Sequence, residues 1–134
     1  NYSFPKIKVK LDIIICKDTI CYINEPKQLQ FLLDCCSALQ KNGYILIQYI
    51  QAQIKQKQKK LLNYKNSLSG EHFKTYHNQE NPINYLSNKH VKKIIKTAKL
   101  DIIESIFDTA THTKKNQFNC HIIDINRFLL LKKV

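Results

Sequence analysis

Arginine occurs once in this 134-residue sequence, at Arg127, against 22 basic residues in all; glycine occurs twice and methionine never. Each scarcity excludes something. Without methionine the initiator is not represented, so the expectation is a longer native polypeptide with sequence upstream of Asn1. With glycine only at Gly43 and Gly70, no G-x-G turn can be built, because such a turn needs backbone that approaches a ligand without an intervening Cβ. No apolar run nears the roughly 18–20 residues of a membrane-spanning helix, and no charged-then-apolar leader opens the chain. No membrane partner is expected, and the expected compartment is the cytoplasm.

Metal and disulfide patterns are missing as well. The cysteines (Cys16, Cys21, Cys35, Cys36, Cys120) are odd in number and form no C-x-x-C pair. The histidines (His72, His77, His90, His112, His121) contain no H-x-x-x-H pair. Reduced, buried thiols and no metal site are expected.

What remains is basic and apolar. A net charge of +12 suggests a polyanionic partner, RNA among them, since clustered cations gain affinity by releasing counterions from phosphates. Against this, nearly all the cations are lysine rather than the bidentate arginine. The joint abundance of Asn, Ile, Tyr and Lys is also the bias an AT-rich genome imposes. Both explanations stay open. The 43% hydrophobic content, gathered into runs, is enough for a core and excludes disorder throughout.

The runs alternate in type. Residues 1–10, with Pro5, read as a connector. Leu11 to Cys16 is a continuous β-branched run, the pattern of a strand buried on both faces. Asn24-Glu25-Pro26 opens a helix over about 26–40, with an apolar stripe of Leu29, Leu32, Leu33, Cys36 and Leu39, closed by Lys41-Asn42-Gly43 with Gly43 in the left-handed region. Residues 44–49 form the next strand. Residues 51–86 are a polar insert or lid, with a polar helix or solvated charge run over 51–65 and an aperiodic loop over 66–82. Ser87 caps a helix over 88–99 on which Val91, Ile94, Ile95 and Ala98 keep helical spacing. Residues 100–107 make a third strand, and 118–125 with 127–132 a fourth or a bent pair. The order implies an α/β sheet, mostly parallel, closed by an antiparallel hairpin.

The strings themselves carry a resemblance. Leu11-Asp12-Ile13-Ile14-Ile15-Cys16-Lys17-Asp18-Thr19-Ile20-Cys21-Tyr22-Ile23 resembles the fourth-strand motif of class I, S-adenosylmethionine-dependent methyltransferases. Ala38 to Ile47 is similar to that family's next motif, with Asn42 in place of its first glycine, a residue that tolerates positive φ. Tyr85 to Ile103 resembles the last helix and sixth strand, with Lys99 and Leu100 where a glycine and an aromatic residue are common. Arg127 to Lys132 is similar to the antiparallel seventh strand. The resemblance covers nearly all of residues 1–134, as the C-terminal half of a Rossmann-like domain whose front half, with the cofactor loop and the ribose-binding acid, is missing.

That resemblance implies methyl transfer, with S-adenosylmethionine as cofactor, by a longer chain or assembly; the present residues alone are not expected to bind it. The alternative is a methyltransferase-like remnant serving as a structural or RNA-contacting subunit. Cys16, Lys17, Asp18, Thr19 and Ile20 are expected to border the cofactor at the carboxyl ends of the strands. Asp18 is a polar anchor or a turn-former. Tyr22 sits beside the methyl donor or is an ordinary packed tyrosine. Gln48, Tyr49 and His72 are expected to face substrate, and His72, Tyr76 and His77 are candidate acid–base groups or plain surface residues. The Leu11 to Cys16 edge is expected to be covered by the missing half, by a partner chain, or by the arm of residues 1–10.

Overall fold

The computed structural model describes residues 2–54, 73–74, 84–115 and 121–134. Strand β1 (Leu11–Cys16) leads through a 3-10 turn (Ile20–Tyr22) into helix α1 (Glu25–Ala38) and strand β2 (Leu39–Ile54). Short strands β3 (Phe73–Lys74) and β4 (Asn84–Tyr85) pair with each other, and helix α2 (Asn88–Thr97) precedes strands β5 (Leu100–Lys115) and β6 (His121–Lys133). The main sheet has the order β1-β2-β6-β5. β1 and β2 are parallel, and β6 is antiparallel to both of its neighbours, so β1, β2 and β5 run one way and β6 alone runs the other. The expected α/β class with one reversed C-terminal strand is what the chain adopts. The last strand is continuous over its described length rather than bent in two, and it inserts between β2 and β5.

One face of the sheet carries the core. Register places Ile14 and Cys16 beside Ile45 and Ile47, which lie beside Leu131 and Leu129. These residues belong to one cluster with Phe31, Leu32 and Cys35 of α1 and Val91, Ile94 and Ile95 of α2. Side chains alternate across a strand, so Ile13, Ile15 and Ile106 fall on the opposite face. They are 50, 66 and 57% exposed. Among the described residues no helix lies over that second face. The Leu11 to Cys16 run therefore occupies an edge of the sheet with one face open, where the pattern predicted burial on both.

Helix α1 departs from its expected form in two instructive ways. Its buried residues are Gln28, Phe31, Leu32, Cys35 and Ala38, while Leu33 is exposed and Leu29 and Cys36 are half-buried. The inward face is thus rotated by one residue from the leucine stripe, because a glutamine occupies a core position. The helix also ends at Ala38, with Leu39 extended and fully buried, rather than running on to Gly43. Its terminal carbonyls are satisfied from distant chain: Lys133 Nζ donates to Cys36 O (2.6 Å) and Leu39 O (2.8 Å), and Lys10 Nζ donates to Ser37 O.

The segment 40–43 is an irregularity inside β2, where the register with β1 shifts between Leu11 and Ile13. Here Asn42, not Gly43, takes positive φ (64°). Gly43 serves a different need: a Cβ there would lie 3.0 Å from Gln40 O and 3.1 Å from Asp12 O, so its absence lets two backbones close. At α2, Ser87 is the N-cap, its side chain accepting from His90 N–H at 3.1 Å, as its position predicts. Lys99, in the place expected for glycine, has φ 56°. Residues 51–54 extend β2 and open no helix. The remainder of the expected insert, apart from β3, β4 and the α2 cap region, lies outside the described residues.

Candidate functional site

Where β1 ends, the chain turns sharply at the carboxyl edge of the parallel pair. Asp18 makes the turn with φ 51°, a conformation that aspartate tolerates better than most residues. Its backbone N–H donates to Gln48 Oε1 at 2.9 Å, and Gln48 Nε2 donates to Asn126 Oδ1 at 3.1 Å. Strands β2 and β6 thus hold the turn through one buried amide. Thr19 Oγ1 closes it by donating to Lys17 O at 2.9 Å.

The following 3-10 turn is anchored from below. Gln28, fully buried in α1, donates from Nε2 to Ile23 O (2.8 Å) and Ile20 O (3.3 Å). Its Oε1 is left to accept, so His90 Nε2, at 2.8 Å, carries the proton. Glu25 Oε1 stands 3.5 Å from His90 Nδ1. Burial lowers the His90 pKa below its ordinary 6.5, with the Glu25 charge opposing and Lys93 assisting.

A lowered folded-state pKa means that the unfolded chain binds more protons, so the stability held in neutral His90 is complete above about pH 6.5 and is lost as pH falls through the folded-state value. Urea midpoints are expected to fall between about pH 7.5 and pH 5, and to fall by less in His90→Gln. Equal slopes for the two proteins would remove His90 from the account.

Above this foundation lies a cleft of about 500 Å³ between the turn, the start of α1 and the arm that precedes β1. Asp18, Thr19 and half-exposed Tyr22 form one side; Tyr2 and Phe4 form the other, with Phe31 beneath and Asn24 and Lys27 at the rim. The arm is fixed there by chemistry the sequence pattern did not reveal. The Tyr2 ring meets Phe31 edge-on with centroids 6.0 Å apart, its hydroxyl donates to the Asp34 carboxylate, and Phe4 packs on Phe31 at 6.4 Å.

The expected site residues separate into groups. Asp18, Thr19 and Tyr22 line the cleft. Cys16 and Ile20 lie under it in the core, and Lys17 is exposed beside the turn. A hydrogen bond shared with Cys35 lowers the Cys16 thiol pKa and raises that of Cys35, while burial raises both. Cys21, buried near Asp18, is pushed up to about 11, first by burial and then by that charge. Gln48 is buried and committed to the turn rather than turned toward the cleft. Tyr49 lies on the helix-covered face of β2 with Ile45 and Ile47, buried in the core, where its hydroxyl donates to Asn88 Oδ1 at 2.7 Å and burial raises its pKa to about 12 against the pull of Arg127. The expected cavity shared by residues 16–20 and Tyr49 is not this cleft: Tyr49 lies on the same face of the sheet as Cys16, but its side chain is packed in the core against α2. His72, Tyr76 and His77 lie outside the described residues. Gln28, His90 and Asn126 were missed; the available signal was Gln28 itself, a polar residue one turn before Leu32.

No family model and no curated protein matches this sequence. Solved structures do match. A candidate methyltransferase from Bacillus halodurans superposes with a TM-score of 0.65 over 98% of this chain and 68% of its own, at 9% identity. The fold is that of the class I, S-adenosylmethionine-dependent methyltransferases. Such a methyltransferase from Methanosarcina mazei gives 0.62 over 98% of this chain and 63% of its own, at 9% identity. The magnesium protoporphyrin IX methyltransferase of Synechocystis PCC 6803, solved with bound S-adenosylhomocysteine, gives 0.52 over 96% and 48%, at 12% identity. This chain therefore spans between about half and two thirds of the length of these structures.

Proposed function

We propose that this chain is the back part of a domain that transfers methyl groups from S-adenosylmethionine, acting with a front part that supplies the cofactor loop, in the same polypeptide or in a partner chain. The observation that supports this best is the likeness over nearly the whole chain, a sheet of three co-directional strands with one reversed strand inserted before the last. Fold alone does not fix function, so the cleft has to be chemically suitable.

It is suitable for part of the cofactor. Asp18 and half-exposed Tyr22 line the cleft, and a carboxylate and an aromatic ring are groups that attract a sulfonium cation. Nothing in the described residues supplies a glycine turn. When bound, the cofactor supplies an electrophilic methyl group for in-line displacement. The protein's own contribution is positional. Lys17, Asp18 and Thr19 form the rim at the strand ends, Cys16 and Ile20 hold that rim on the core, and Gln48 fixes its backbone. Asp18 acts as turn-former and anchor together, and Tyr22 as the aromatic neighbour of the methyl donor. The insert is assigned the role of substrate lid, with His72 and His77 as its acid–base groups, and Tyr49 the support of that lid's exit from β2. A cytoplasmic setting agrees with the free thiols Cys16, Cys21, Cys35 and Cys36.

The lysine excess favours a second assignment, a remnant that no longer binds cofactor and serves as a structural or RNA-contacting subunit. Equilibrium binding of S-adenosylhomocysteine to the longest native form separates the two: measurable affinity supports methyl transfer, and none supports the remnant.

A further inference from the structure

Helix α2 carries Lys89, Lys92, Lys93 and Lys96, all exposed, with exposed Lys99 just past its end. Their spacings of three and four residues put them on one stripe. The opposite side of the helix, His90, Val91, Ile94 and Ile95, is buried in the core. No acidic residue lies on this helix.

Compositional drift accounts poorly for this stripe. Helix α1 belongs to the same lysine-rich chain, yet its fourteen residues hold one lysine, Lys27, together with Glu25 and Asp34. Solvation accounts for it no better. A solvated face is served as well by alternating Glu and Lys, whereas the like-charged pairs Lys89–Lys93 and Lys92–Lys96, four residues apart, each weaken the helix. A concentration of charge held against that cost is what a polyanion site needs.

Two further features favour a chain-like polyanion. A groove of about 580 Å³ runs beside the stripe between α2 and the start of β5, bordered by Lys92, Lys96 and Lys99 and floored by Ile95, Leu100 and Ile102, with Asp101 also on its wall. Cationic edges above an apolar floor suit a backbone of phosphates with bases attached. The stripe also begins beside Asn88, whose side chain accepts from the Tyr49 hydroxyl of β2. A membrane surface is disfavoured, because the apolar face that would insert is already buried.

We propose that the α2 stripe docks the phosphodiester backbone of a nucleic acid. No cofactor enters this contact, so it stands or falls separately from methyl transfer. The test uses the full chain immobilised at low density, with 12-nucleotide single-stranded RNA, DNA of the same sequence, and duplex DNA as probes at several salt concentrations. Replacing Lys92, Lys93 and Lys96 together by glutamine is expected to weaken binding at least tenfold and to lower the salt slope by about 2 for single strands. A matched triple of exposed lysines elsewhere, Lys6, Lys8 and Lys41 to glutamine, is expected to leave most affinity intact. The preferred probe identifies RNA or DNA as the source of the phosphates. Equal losses in the two triples, no binding at about 50 mM salt, or equal lysine-dependent binding to phosphatidylserine vesicles would each overturn the proposal.

Discussion

Gln28→Leu is expected to destabilise the protein by about 2–4 kcal/mol, although leucine is comparable to glutamine in volume and suits an apolar core. The substitution keeps the packing on Phe31 and Leu32 and removes three hydrogen bonds: to Ile20 O, to Ile23 O and from His90. In a site closed to water each is worth about 0.5–1.5 kcal/mol net, and more where a buried group is left with poorer geometry. The loss should be concentrated at the 3-10 turn. Cys21, 1% exposed in the native protein, should react with iodoacetamide faster than the global unfolding equilibrium allows. Urea unfolding and timed alkylation report the two parts. A change below about 1 kcal/mol with Cys21 still protected would mean that the Gln28 amide is not what holds the turn.

A second large effect concerns the open side of the sheet. The outer edge of β1 has no strand partner among the described residues, and it carries Ile15 at 66% and Ile13 at 50% exposure. The arm of residues 2–10 does not pair there; it packs on α1 through Tyr2 and Phe4. β1 contains no lysine, proline or glycine that would discourage pairing with another chain. The isolated 134 residues are therefore expected to self-associate at micromolar concentration, and Ile15→Lys to shift the population toward monomer by an order of magnitude or more. Light scattering measures this directly. A monodisperse wild-type monomer would show that the edge is already covered.

The sequence was most informative where one interaction dominates. Leu11 to Ile15 and Tyr44 to Tyr49 are apolar enough that strand formation follows from burial alone, and the Ser87 cap is a local hydrogen bond that local sequence specifies. Misreadings came where distant chain decides. The end of α1 depends on Lys133, far along the sequence, which no helix-stop signal contains. The inward face of α1 turned on Gln28, a residue that a hydrophobic stripe leaves out by construction. At 42–43 the tolerance of Asn42 for positive φ was legible, whereas Gly43, expected in the left-handed region, serves a close backbone approach instead. For the site, Asp18, Thr19 and Tyr22 were legible from the motif. The arm that forms the opposite wall was not, because its ring contacts with Phe31 have no periodic signature.

The claim that this chain is one part of a methyl-transferring domain is tested most directly by isothermal titration of S-adenosylhomocysteine into two samples, the 134 residues alone and the longest native form that contains them. The account predicts no measurable heat of binding for the first, since Gly43 and Gly70 are its only glycines and neither can form the cofactor turn. For the second it predicts saturable binding that weakens when Asp18 is changed to asparagine, a substitution that keeps the turn and removes the charge. Tight binding by the 134 residues alone, or none by the longer form, would contradict it.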